Sequence, residues 1–123
     1  MSIPVFRKPE HHPKGWGEEV WIASNELYCG KLLCFKKGGK SSAHFHGDKK
    51  ESWLVFKGAI RLGTVDPVTA LWSSRLCDEG TAIDIPRLCV HQVEALEETI
   101  LIEVSSPDRP EDSLRIAPGD SQK

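Results

Sequence analysis

Short segments that alternate apolar and polar residues, separated by turn signals, run through almost the whole chain. Turn signals such as Lys37-Gly38-Gly39 and Asp78-Glu79-Gly80 stand between them. A period of two places one set of side chains on a core face, and strands recurring about every ten residues favour an all-β sandwich or barrel. The segments are EVWIAS, YCGKLLCFKK, SWLVFKGAIRLGTV, TALWSSRL, GTAIDIP, CVHQVEAL and ETILIEVSS.

The length of the chain sets its domain organisation. With 123 residues, 39% of them hydrophobic and 28% charged, the sequence predicts a single domain whose core covers about residues 16–106. We expect a flexible N-terminal arm (1–15) and a flexible C-terminal tail (117–123), because both are polar and contain proline or glycine. The only predicted helical turn lies near 109–114.

The distribution of charge and cysteine excludes several classes of function. Sixteen basic and 18 acidic residues are scattered along the chain, so no basic stripe exists for nucleic-acid binding. No apolar run is long enough for a membrane span, and the first residues lack the apolar part of a secretory signal. The four cysteines have no CxxC spacing, as expected for free thiols in a reducing compartment. We therefore expect a cytoplasmic protein.

The stretch HFHGDKKES contains a candidate set of metal ligands. In a strand, His44 and His46 point to the same side, and the turn at Gly47-Asp48 brings Glu51 back beside them. A divalent ion needs three or four converging nitrogen or oxygen donors. His91 is the natural fourth donor, since it follows a turn-like stretch and opens another strand.

The full spacing of these residues resembles the two motifs of the cupin superfamily, from about Lys31 to Val104. The resemblance implies a double-stranded β-helix, that is, a jelly-roll barrel, with one divalent metal ion of the Zn, Mn, Fe, Ni or Co type. Leu88 stands where glycine is usual in the second motif, and Ala95 where asparagine is common. The metal ligands that the resemblance implies are His44, His46, Glu51 and His91.

A finer resemblance concerns the substrate. The stretches GWGEEVWI, KLLCFKKG and ETILIEVSSPDRPEDSLRI are similar to the cupin domain of mannose-6-phosphate isomerases of the type fused to sugar nucleotidyltransferases. Lys49 matches by spacing a lysine that contacts the sugar in cupin lyxose isomerases. These resemblances imply an aldose–ketose isomerase acting on a carbohydrate, either a sugar or a sugar phosphate.

An isomerase of this kind needs a base as well as a metal. We expect Glu103 on the last strand to be that base, with Lys49 as a second catalytic group. Lys31 and Arg115 are candidate donors to hydroxyl or phosphate oxygens, and Trp53 is a candidate apolar wall of the pocket. Two alternatives remain open: a metal-dependent Fe oxygenase, and a non-catalytic module that binds a sugar or another small ligand.

Association of two chains is also expected. The segment EVWIAS would be an exposed apolar edge strand in a monomer, and small cupins commonly pair through barrel faces or N-terminal strands. The sequence therefore predicts a homodimer.

Overall fold

The computed structural model describes all 123 residues, and its regular secondary structure is β-strand apart from two short 3-10 turns. A short 3-10 turn at Pro110–Asp112 precedes the last strand and another at Asp120–Gln122 follows it. No helix in the structure could span a membrane. The strands are β1 Glu10–Lys14, β2 Gly17–Ser24, β3 Cys29–Phe35, β4 Ala43–His46, β5 Glu51–Lys57, β6 Ala59–Val65, β7 Trp72–Asp78, β8 Ala82–Ile85, β9 His91–Ala95, β10 Thr99–Ser105 and β11 Ser113–Ala117.

The strands form two sheets in which every pairing is antiparallel. The six-stranded sheet has the order β1-β2-β3-β10-β5-β8, and the five-stranded sheet has the order β11-β4-β9-β6-β7. The last core strand, β10, lies between β3 and β5. This insertion places residues far apart in sequence on one inner face.

The inner face of the six-stranded sheet is apolar at one end and charged at the other. Leu33, Leu101 and Val55 form one cross-strand row, and Leu101 and Val55 are completely buried. Complete burial of such a side chain contributes about 1.5–3 kcal/mol. The next row toward the charged end contains Lys31 and Glu103. The apolar core therefore closes one end of the barrel and leaves a polar cavity at the other.

Parts of both terminal segments, residues 10–15 and 120–121, contact the barrel. Residues 10–14 form β1, which pairs with β2 along its whole length. At the other end, the Asp120 carboxylate accepts a hydrogen bond from the Lys40 backbone N–H at 2.9 Å, and the Ser121 hydroxyl accepts one from Gly15 N–H at 3.0 Å. The tail thus contacts both the β3–β4 connection and the β1–β2 turn.

The expectation that EVWIAS is an exposed edge is wrong for its first half. β1 pairs with Gly17–Trp21 and is itself the edge of the sheet there, whereas Ile22–Ser24 extend beyond β1. Pro13 lies in β1, and proline is tolerated in an edge strand because its missing N–H removes no hydrogen bond from the sheet interior.

Leu88, which stands where the second motif usually has glycine, adopts a backbone conformation typical of glycine. Leu88 adopts φ of 63°, the left-handed conformation that glycine would adopt at low cost. Its N–H donates a 2.8 Å hydrogen bond to the carbonyl oxygen of His46. The turn before β9 is therefore tied directly to the end of β4.

Candidate metal centre

Three histidine side chains of the five-stranded sheet meet inside the barrel. His44 and His46 lie on β4 and His91 opens β9, with His44 and His91 paired across the two strands. One ring nitrogen of each lies within 4.8 Å of the other two. Donors held at about 2.0–2.3 Å by one ion are at most about 4.6 Å apart, so a small shift closes the cluster around a cation. These histidines form a candidate site for a divalent metal ion.

Hydrogen bonds orient two of the three rings. His91 Nδ1 lies 2.8 Å from the Cys89 carbonyl oxygen, and His44 Nδ1 lies 3.1 Å from the Ser42 carbonyl oxygen. Because a carbonyl only accepts, each Nδ1 carries the proton and each Nε2 keeps its lone pair. His91 Nε2 is buried without a hydrogen-bond partner. Buried polar atoms are normally satisfied, so this nitrogen fits a metal ligand well.

Burial keeps the cluster in the protonation state that a metal requires. Burial, followed by the nearby His91, lowers the pKa of His44 to about 3. Burial also lowers the pKa of His91 to about 4, against the opposing hydrogen bond to Cys89. Both rings are therefore neutral at pH 7, and a neutral imidazole is the form that binds a cation.

Glu51 lies at the edge of the histidine cluster. Its Oε2 is 3.3 Å from His46 Nε2 and has no hydrogen-bond partner, while its Oε1 accepts a 2.6 Å hydrogen bond from Trp53 Nε1. Burial, which the charge of Lys49 only partly offsets, raises the pKa of Glu51. A cation at the cluster would offset the free-energy cost of burying the negative charge of Glu51. Glu51 therefore fits a fourth ligand.

Trp53 does more in the structure than supply an apolar wall. It lines the cavity and its indole lies edge-on to His91, with ring centroids 5.5 Å apart. Its hydrogen bond to Glu51 fixes the direction of that carboxylate. Contacts that orient a metal ligand in this way normally tune metal affinity.

Glu103 lies in the same cavity, held by residues that do not belong to the histidine cluster. Its Oε2 is 3.0 Å from Lys49 Nζ and accepts a 2.9 Å hydrogen bond from the Ser105 hydroxyl. Burial, followed by the negative charge of Glu51, raises the pKa of Glu103. The Lys49 ammonium is buried behind Glu103 and does not line the cavity. The two predicted catalytic residues are thus in contact, but only the carboxylate faces the cavity.

The two remaining predicted substrate residues occupy different positions around the cavity. Lys31 is buried, and its ammonium lies 2.8 Å from Asp108 and 3.3 Å from Glu19, above the ring of Trp21. Arg115 is exposed, lines the cavity and forms no ion pair. The ammonium of Lys31 is therefore occupied by protein groups, whereas the guanidinium of Arg115 is available.

Asp112 is a structural residue of the site that sequence reasoning missed. Its carboxylate accepts hydrogen bonds of 2.9–3.0 Å from the backbone N–H groups of Gly47, Asp48 and Lys49. This contact clamps the loop between His46 and Glu51. The sequence offered one indication of a role for Asp112, its position three residues before Arg115 in the isomerase-like tail. Only the fold shows that Asp112 binds the loop between His46 and Glu51.

Together the residues surround a cavity of about 290 Å³ that holds both the histidine cluster and Glu103. No protein-family model and no curated protein matches this sequence. Solved structures of the same fold are more informative. Oxalate decarboxylase from Bacillus subtilis is 17% identical with a TM-score of 0.74, over 88% of this chain and 30% of that one. The Bacillus enzyme contains Mn(II) centres.

Two further structures show the same architecture. CapF, a capsular polysaccharide assembling protein from Staphylococcus aureus, is 15% identical with a TM-score of 0.77, over 89% of this chain and 34% of that one. KdgF from Halomonas sp. is 21% identical with a TM-score of 0.65, over 76% of this chain and 81% of that one. The chain spans about a third of the length of the decarboxylase and of CapF. At these identities the likeness is one of fold, and it confirms the predicted all-β jelly-roll barrel.

Proposed function

We propose that this protein binds one divalent metal ion through His44, His46, Glu51 and His91 and interconverts the aldose and ketose forms of a small sugar or sugar phosphate. The observation that carries the proposal is the position of Glu103. It is a buried carboxylate in the cavity of the candidate metal centre, yet it is bound by Lys49 and Ser105 rather than by the histidines.

Isomerisation requires the transfer of two hydrogens without net oxidation. When bound, the ion would act as a Lewis acid toward the adjacent carbonyl and hydroxyl oxygens of the sugar. Glu103 removes the proton from carbon 2 and returns it to carbon 1, while the hydroxyl hydrogen passes from the oxygen on carbon 2 to the oxygen on carbon 1. The carbonyl group thereby moves from carbon 1 to carbon 2.

The surroundings of Glu103 suit this role. Both of its polar contacts fall on Oε2, and no protein group donates a hydrogen bond to Oε1. Oε1 is therefore free to accept a proton from a bound molecule. Burial raises the pKa of Glu103 toward the working range of a general base, while Lys49 keeps the ionised form accessible.

The test is anaerobic turnover by metal-loaded protein in D₂O with a panel of aldoses and their phosphates. We expect ketose product, with deuterium at carbon 1 to the extent that the proton held on Glu103 exchanges with solvent before its return, and loss of turnover at unchanged metal content in Glu103→Gln. Glu98→Gln, which changes an exposed carboxylate near the start of β10, is the matched control and should keep full activity.

Metal content checks the ligand set separately. His44→Ala and His91→Ala should lose bound metal when the protein is purified without chelator, whereas His11→Ala and His12→Ala should retain it. Full occupancy in the His44/His91 double variant would end the proposal. Substrate-dependent O₂ consumption with Fe(II) and no isomer product would assign an oxygenase instead. Sugar binding without turnover would assign a binding module.

We also propose a cytoplasmic homodimer. The four cysteines are free, which fits a reducing compartment. The outer face of the six-stranded sheet carries an uninterrupted apolar row, and Phe56 and Val104 beside it are each 59% exposed. An outward sheet face is normally polar, and a twofold contact with a second copy would bury the same patch on both chains. The row consists of Val20, which is already buried in the single chain, and of the more accessible Leu32, Ile102, Leu54 and Ala82.

Val104→Arg tests this interface. It places a charge beside the apolar row and should convert a dimer to a monomer in light scattering, whereas Ser73→Arg on the other sheet should not. Wild-type protein that is monomeric at micromolar concentration would contradict the proposal.

A further inference from the structure

Charges around the cavity are arranged in two layers. Four carboxylates line it: Glu19, Glu51, Glu103 and Asp108. The buried ammonium of Lys31 bridges Glu19 and Asp108, at 3.3 and 2.8 Å. The buried ammonium of Lys49 bridges Glu103 and Asp108, at 3.0 and 3.2 Å. These two cations, together with a divalent ion at the histidines, balance the four negative charges of the inner layer.

The outer layer consists of cations that this balance does not use. Lys14, Arg109 and Arg115 also line the cavity, and all three are exposed. Lys14 and Arg115 form no ion pair, and Arg109 has only an exposed contact of 3.5 Å with Asp48. Exposed pairs of that kind contribute little. The mouth of the cavity is therefore positive in a chain whose net charge is −2.

The fold brings these three cations together from separate segments. Arg115 on β11 is the cross-strand partner of His44, so it lies beside the candidate metal centre on the neighbouring strand. Lys14 ends β1 in the other sheet, and Arg109 precedes the 3-10 turn at Pro110–Asp112. All three line the same cavity as the histidines, and we call these three exposed cations the rim of the cavity.

We propose that the substrate carries an anionic group, a phosphate or a carboxylate, that binds Arg115 and Lys14 at the rim while its hydroxyl and carbonyl oxygens reach the histidine cluster. This inference names the substrate class and rests on the proposed function. A guanidinium donates paired hydrogen bonds to either anion. Lys31, which the sequence also offers for this role, is occupied by Glu19 and Asp108. Arg109 adds positive charge at the same opening.

Binding of glucose, glucose 6-phosphate and glucuronate to metal-loaded protein, measured by calorimetry, tests the inference because the three differ only at carbon 6. We expect one or both anionic sugars to bind at least tenfold more tightly than glucose. Arg115→Gln and Lys14→Gln should each weaken that binding by about tenfold to a hundredfold, the usual effect of a hydrogen bond to a charged group. The preferred anion identifies the group as phosphate or carboxylate.

Arg75→Gln and Lys57→Gln are the matched controls, since each removes an exposed cation far from the cavity, and they should leave the dissociation constants unchanged. Equal binding of all three sugars, or no binding of any at millimolar concentration, would overturn the inference. So would anion binding that is lost in His91→Ala but kept in Arg115→Gln, because the anion would then sit on the metal.

The two proposals fail in different ways. Tight, Arg115-dependent binding of an anionic sugar without turnover would leave the rim site standing and end the isomerase proposal. Isomerisation of neutral aldoses, with no preference for anionic ones, would support the isomerase proposal and end the proposal of an anion site at the rim.

Discussion

Lys49 Nζ and Glu103 Oε2 lie 3.0 Å apart, and about 95% of each side chain is buried. The pair joins the loop after β4 to the last core strand, so it links the segment that carries the histidines to the proposed base. Burial opposes both charges, and the opposite charge of each group favours the ionised form of the other. The charge of Lys49 lowers the pKa of Glu103 against the dominant effect of burial.

Replacing Lys49 with Met should therefore change Glu103 as well as stability. Without the ammonium, the pKa of Glu103 rises, and the acidic limb of the isomerase pH–rate profile should move to higher pH. The free energy of unfolding should fall by about 3–5 kcal/mol, the cost of leaving one partner of a buried ion pair. Urea denaturation measures the second effect.

Lys49→Arg and Lys50→Met are the controls for this prediction. Lys49→Arg keeps the charge and should keep the acidic limb of the pH–rate profile at its wild-type position. This variant can still be measured if Lys49→Met does not fold. The second removes an exposed neighbouring ammonium and should change neither quantity. An unshifted limb in Lys49→Met would mean that Lys49 only stabilises the fold.

Trp53→Phe should weaken metal binding without removing a ligand. The indole N–H donates to Glu51 Oε1 at 2.6 Å, and phenylalanine keeps the apolar surface but loses this donor. Loss of an orienting hydrogen bond of this kind typically lowers metal affinity by about 10–100-fold. A competition titration with a chromophoric chelator measures the change, and Trp72→Phe on the other sheet is the control. Unchanged affinity would show that Glu51 needs no orientation by Trp53.

The residue pattern of β5 was enough to predict that Glu51 and Trp53 lie on the same face. Alternation with a period of two correctly places Glu51, Trp53 and Val55 on one face, and all three are buried. The same rule brings His44 and His46 to one side of β4. These are local consequences of strand geometry, so they can be read from neighbouring residues.

The charged network behind the site could not be predicted in the same way. Lysines are normally exposed, and the burial of Lys31 and Lys49 depends on partners contributed by β10 and the segment after it, such as Glu103 and Asp108. Those partners become neighbours only because β10 inserts between β3 and β5. Strand order of this kind is a property of the whole fold. β1 was missed for a related reason, since Glu10–Lys14 has no apolar alternation and becomes a strand by pairing with β2.

The histidines of the cluster should destabilise the metal-free protein as the pH is lowered from about 6.5 toward 4. His91 has a pKa of about 4 in the folded chain, well below its ordinary value of 6.5, so the unfolded chain takes up protons first. By linkage, this difference corresponds to a loss on the order of 3 kcal/mol for His91 alone, complete only below pH 4. His44, with a pKa of about 3, acts in the same direction.

The raised pKa values of Glu51 and Glu103 act in the opposite direction at acidic pH, because protonation favours the folded state of a buried acid. The informative measurement is therefore the difference in denaturation free energy between wild type and His91→Gln across this pH range. His91→Gln should show a weaker pH dependence, whereas His11→Gln should match wild type. Parallel curves for His91→Gln and wild type would contradict the prediction.

Leu88→Gly should stabilise the protein, against the usual effect of introducing glycine. Leu88 holds φ of 63°, which costs an L-residue about 1–2 kcal/mol, and its side chain is 68% exposed and so contributes little packing. Glycine removes that cost and gains some freedom in the unfolded chain, so the net increase in unfolding free energy should be about 0.5–1 kcal/mol.

Leu88→Ala keeps the backbone strain and should give no gain, while Ala70→Gly, at φ of 59°, should behave like Leu88→Gly. Glycine keeps the backbone N–H that donates to the carbonyl oxygen of His46, so Leu88→Gly should also leave metal affinity unchanged. A stability gain in Leu88→Gly that came with weaker metal binding would instead show that the strained turn helps to hold His46 in place.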